Sequence, residues 1–152
     1  FVKVKNSGGV SVNSEYIELD KKIFIKITQI LKSDGVMAFV RDNNFAGFGF
    51  ERTSLAPLHE FEHYCHTPEF EFMDVDLEGL KLKLFEYIDK FTSYISVNTF
   101  PLQGGLNSVP EEWEYEQPER FEKVVETIHS LSGEIWDTYC ELVKLGRRKL
   151  AI

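Results

Sequence analysis

Residues 74–97 read DVDLEGLKLKLFEYIDKFTSYISV, and residues 118–145 read PERFEKVVETIHSLSGEIWDTYCELVKL. In the first stretch Leu77, Leu80, Leu84, Ile88, Phe91 and Ile95 step by three or four residues, one apolar stripe along a helix. Asp74 stands where a helix N-cap belongs. In the second stretch Phe121, Val124, Ile128, Leu131, Ile135, Tyr139 and Leu142 continue the same period up to Gly146. Pro118 suits a first helical position, where its missing N–H leaves no bond unmade. Each stripe needs an apolar partner, and the two helices can shield each other. The spacing therefore predicts an all-α fold. We expect a bundle of about four to five helices with 75–97 and 118–145 as an antiparallel spine.

Outward from that spine the chain offers shorter helices. Asp20 or Ser14 can cap a first helix carrying Ile23, Ile27, Ile30 and Leu31 on one face, ending near Ser33. Asp34 can cap a short segment over 35–42. A third helix is expected from about Ser54 to His66, with Pro57 in its first turn and Pro68 beyond its end. Residues 1–13, FVKVKNSGGVSVN, alternate apolar and polar around Ser7-Gly8-Gly9, so they read as an arm or a small β-hairpin. Residues 14–152 then form one helical domain. Residues 98–117 are a long connection with a helical turn near Pro110–Trp113, for which Ser108 and Glu111 have capping-box spacing.

Composition narrows the function classes. The chain has 152 residues, a formal net charge of -8, and 13 Phe, 6 Tyr and 2 Trp. The 43% hydrophobic content excludes a disordered chain. No apolar run approaches the ~18 residues a bilayer span needs, so no membrane insertion is expected. The acidic balance disfavours nucleic acid as a partner. Cys65 and Cys140 are too few for a disulfide scaffold and read as reduced thiols, which makes the cytoplasm the expected compartment. The chain begins with Phe1, so it is expected to be a piece of a longer protein or a processed product.

Charge is uneven along the chain. Residues 60–78 hold seven acids and no Lys or Arg, and residues 111–126 hold seven acids against Arg120 and Lys123. Lys144, Arg147, Arg148 and Lys149 make the far end basic. Five aromatics, Phe45, Phe48, Phe50, Phe100 and Trp113, sit in expected loops. Buried, they are core; exposed, they mark a binding surface.

The chemistry-bearing segment is His59-Glu60-Phe61-Glu62-His63. On a helix, His59 and His63 are four apart and project from one face, so both imidazoles can share a zinc ion. Glu60 would polarise a metal-bound water. These five residues resemble the H-E-x-x-H signature of zinc metalloproteases, and through Glu62 they also satisfy the inverted form. A catalytic zinc needs a third protein ligand. His66 is a candidate, as are Glu69 and Glu71, but the continuation of the signature is absent. A second pattern overlaps the first. Arg52 and His59 in RTSLAPLH resemble the R-x(4–6)-H arrangement of HEPN-type ribonucleases, which are helical bundles that often dimerise. The resemblance implies that Arg52 stabilises a phosphate oxyanion and His59 transfers a proton.

No complete catalytic set emerges, and two strong stripes and a loop rich in aromatics do. The leading expectation is therefore a helical interaction or assembly module of a larger protein, with a protein partner or a second copy bound. A metal-dependent hydrolase and a HEPN-like ribonuclease are the alternatives.

Overall fold

The computed structural model describes residues 14–152 with their side chains. Among the described residues there are six α-helices, α1 (Val2–Ile30), α2 (Val36–Asp42), α3 (Ala56–Cys65), α4 (Val75–Asn98), α5 (Trp113–Glu116) and α6 (Pro118–Leu150). A 3-10 turn at Arg52–Leu55 leads into α3, and two short strands, β1 (Phe100–Pro101) and β2 (Asn107–Ser108), form an antiparallel pair. The fold is all-α, as the two stripes predict. The arm or hairpin expected at 1–13 falls on the stretch where α1 begins, and residues 1–13 lie outside those whose side chains are described.

The spine is α4 against α6. Lys149 near the end of α6 bonds Asp74 and Asp76 at the start of α4, both at 2.9 Å. Tyr94 and Val97 near the end of α4 meet Thr127 and Leu131 in the first half of α6. The two helices are therefore antiparallel. Leu77, Leu84, Ile88, Phe91 and Ile95 from one, and Val124, Ile128, Ile135, Tyr139 and Leu142 from the other, are buried together. Side chains of this size each contribute about 1.5–3 kcal/mol when fully removed from water.

Local chemistry explains the helix ends. Asp74 Oδ1 accepts the backbone N–H groups of Asp76 and Leu77 at 2.9 and 3.0 Å, which caps α4 as expected. The end of α1 is held from a distance, since the Tyr139 hydroxyl donates to the Leu31 carbonyl at 2.5 Å. α2 starts from Gly35 with no side-chain cap, so Asp34 does not play the part expected of it.

Three expectations are corrected by packing. Asp20 does not cap α1. It is buried inside that helix, and its carboxylate accepts the backbone N–H groups of Met73 and Asp74 at 2.6 and 3.0 Å. Gly146 does not end α6. The helix runs four residues further, and Gly146 is buried where Phe24 of α1 lies against the α6 backbone, leaving no room for a Cβ. Ser108 does not open a capping box, because it pairs with Phe100 in the strand ladder.

The long connection is structured by that ladder. Pro101 pairs with Asn107, and Gly104 and Gly105 turn the chain at φ near +90°, a region that favours glycine. Asn107 also exchanges backbone hydrogen bonds with Phe50, at 2.8 and 2.9 Å, which ties the loop 43–50 to the hairpin. Through this tie Phe45 and Phe50 enter the core. Trp113 is buried beneath the Arg120 guanidinium, 3.8 Å from its ring centre. Phe48 and Phe100 remain exposed.

Among the described residues, no helix is long and apolar enough to cross a membrane.

Candidate functional site

The segment holding the histidines folds as the 3-10 turn followed by α3. Leu58 and Phe61 are fully buried. This places His59, His63 and His66 on the exposed side of the helix, away from the core. His63 stands edge-on to Tyr64 and His66 edge-on to Phe85.

Arg52 and His59 are seven residues apart, about two helical turns, so they face the same way. They line one cleft of about 280 Å³ between the 3-10 turn, the last turns of α4 and the strand pair. Thr92, Ser96 and Thr99 from α4 and its C-cap, and Asn107 from β2, complete its polar lining.

At one edge of the cleft His59 Nδ1 lies 3.3 Å from Glu62 Oε1. The Glu62 carboxyl also accepts a hydrogen bond from the Thr92 hydroxyl, at 3.2 Å to Oε1. Desolvation by burial, reinforced by a shared hydrogen bond with the Asp89 carboxyl, pushes Glu62 up to about 7. Near neutral pH this carboxyl therefore exchanges a proton readily. With Nδ1 turned toward Glu62, Nε2 is the ring nitrogen left to meet anything bound in the cleft. A guanidinium, an oriented imidazole and several hydroxyls can hold an anion and move a proton.

The metal pattern is not assembled in the same way. Glu60 lines a different groove, with Lys26 and Pro57. His59 is engaged with Glu62, and His66 packs on Phe85. Among the described residues, no three His, Cys, Asp or Glu side chains gather so that they could hold a metal ion. The zinc expectation thus acquires no third ligand from the fold.

Glu62 was legible only through the inverted form of the motif. Thr92, Ser96 and Asn107, which line the cleft, and Asp89, which meets Glu62, carry no local signal, since each comes from an element at least 27 residues away in sequence.

A second concavity, of about 540 Å³, lies between the end of α4 and the first half of α6. Tyr94, Val97 and Leu131 supply its apolar surface, with Lys90, Ser93, Asn98 and Thr127 around them. Val97 is 68% exposed. Phe48, Phe100, Leu102 and Tyr115 are exposed at the same end of the bundle, where the loop, the strand pair and α5 meet. This end gathers five large exposed apolar side chains. Elsewhere, α3 presents its polar residues and keeps Leu58 and Phe61 inside.

Cys65 and Cys140 are both free and half-buried, and burial pushes the Cys65 thiol up to about 12, which keeps it a neutral thiol at neutral pH.

No protein-family model, curated protein or solved structure matches the chain.

Proposed function

We propose that this chain is a helical interaction module that receives an apolar segment of a protein partner at the hairpin end of its bundle. The observation that carries this reading is the apolar groove of Tyr94, Val97 and Leu131, opened to water with Val97 68% exposed. An exposed side chain of this kind costs free energy in water that a partner would recover, at about 25 cal/mol per Å² of apolar surface covered. Apolar concavities edged by polar groups are a common form of such sites. The test is site-specific photocrosslinking in the cells that make the protein, with the crosslinker at position 97 and a control at position 82. Leu82 is also an exposed apolar residue of α4. A discrete adduct from 97 that is absent from 82, and lost in a Leu131→Asp background, is expected. The same adducts from both positions would overturn the reading.

A second reading rests on the cleft. Arg52 and His59 share it, and His59 Nδ1 meets a carboxyl that titrates near neutrality. This supports phosphodiester cleavage of RNA, with Arg52 on the phosphate and His59 moving the proton. Purified protein is expected to cleave single-stranded RNA, with Arg52→Ala and His59→Ala each losing at least tenfold. Cleavage unchanged in both variants would sink it.

A further inference from the structure

Two exposed patches of opposite charge lie at opposite ends of α6. Just before its start, α5 presents Tyr115 at 81% exposure between Glu114 and Glu116, with Glu111 and Glu112 immediately upstream. At its other end Lys144, Arg147 and Arg148 border a groove floored by Val143 and Ile152. Lys149 is not part of this groove, because Asp74 and Asp76 hold it. Among the described residues, none of the three groove cations pairs with an Asp or Glu side chain, and Arg147 Nε donates to the Ile152 backbone oxygen at 3.1 Å.

The chemistry of the patches is complementary. One is an aromatic ring flanked by carboxylates, and the other is an apolar floor flanked by a lysine and two arginines. Guanidinium groups pair with carboxylates and also stack on aromatic faces. Within one molecule the patches cannot meet, since the part of α6 between Pro118 and Lys144 separates them by about 40 Å. We infer that the groove at the end of α6 receives the Tyr115 segment of a second copy of this chain, giving a head-to-tail assembly. The inference deepens the interaction reading by naming one partner and a surface distinct from the apolar groove.

A head-to-tail contact is heterologous, so it builds rings or open chains of copies and not closed two-fold dimers. It is small and rich in charge, so it is weak and salt-sensitive. Each copy carries a net charge of -8. At 0.1 M salt the screening length is about 10 Å, which weakens that overall repulsion while leaving contacting pairs intact.

Sedimentation velocity tests this. At 0.1 M salt the weight-average sedimentation coefficient is expected to rise with protein concentration through the micromolar range, and to stay flat at 0.5 M salt. Arg147→Glu with Arg148→Glu, and separately Glu114→Arg with Glu116→Arg, should each remain monomeric. Mixing the two charge-reversed proteins should restore association. A wild type that is monomeric throughout would overturn the inference, as would reversed variants that associate like the wild type. If the reversed variants associate but Val97→Asp does not, the inference fails and the interaction reading stands. If position 97 yields no specific adduct while the reversed variants behave as expected, the apolar groove reading fails and the head-to-tail contact stands.

Discussion

Phe45 donates its backbone N–H to Nε2 of His129, at 3.0 Å and across 84 residues of chain. The Phe45 ring is buried against Phe39, Phe50 and Phe91. The imidazole thus satisfies the amide of a residue that a loop delivers into the core. It can do so only while Nε2 is unprotonated. Desolvation holds the His129 pKa below its ordinary value.

This gives a pH dependence with a definite sign. The unfolded imidazole takes up its proton near 6.5, and the folded one only at lower pH. Between those points the unfolded state binds more protons, so this contribution to stability falls as pH falls. His129→Gln keeps an acceptor that does not titrate. Its melting temperature is expected to lie near that of the wild type at pH 8 and above it at pH 5.5. A difference that stays constant across that range would show that His129 does not titrate on this bond.

Glu62 acts with the opposite sign. Its folded pKa of about 7 lies above its unfolded value. Between about 4.5 and 7 the folded state holds the extra proton, so this contribution is present at low pH and lost as pH rises through 7. Glu62→Gln fixes the neutral form and can still accept from Thr92. We expect it to stabilise the protein by about 1–2 kcal/mol at pH 8 and to leave pH 5 nearly unchanged, measured by urea denaturation.

Asp20 ties α1 to the approach to α4 by accepting from Met73 and Asp74. Asp20→Ala leaves two backbone donors without their charged acceptor and should cost about 2–4 kcal/mol. Asp20→Asn retains one carbonyl oxygen and should fall between. Equal stability of all three proteins would contradict the assignment.

Gly146 separates a packing role from ordinary helix propensity. Glycine to alanine within a helix usually gains about 0.5–1 kcal/mol. A Cβ at Gly146 would collide with the Phe24 ring, so Gly146→Ala should instead lose about 1–3 kcal/mol. Gly133, in the same helix, has open space around it, and Gly133→Ala should show the usual gain. Chemical denaturation of both variants decides the matter by sign.

What the amino-acid order determined on its own is the set of helices. Helix period, Asp74 as a cap and Pro118 as a first residue are local properties, carried by side chains within a turn or two of each other. They suffice to place α4, most of α6 and the antiparallel spine, and to turn Leu58 and Phe61 inward and the three histidines outward. Tertiary contact decided the rest. Asp20 reads as a cap until Met73 and Asp74 are brought to it from more than 50 residues away. Gly146 reads as a helix end until Phe24 is seen to need its missing side chain. Arg52 and His59 become a cleft only when α4 and β2 supply Thr92, Ser96 and Asn107. The five loop aromatics divide into core and surface because the Phe50–Asn107 bridge and Trp113 packing pull some inward and leave Phe48 and Phe100 out. Periodicity reports which face of a helix avoids water. Which distant backbone groups, rings or carboxyls complete that face depends on pairings between segments that no local pattern encodes.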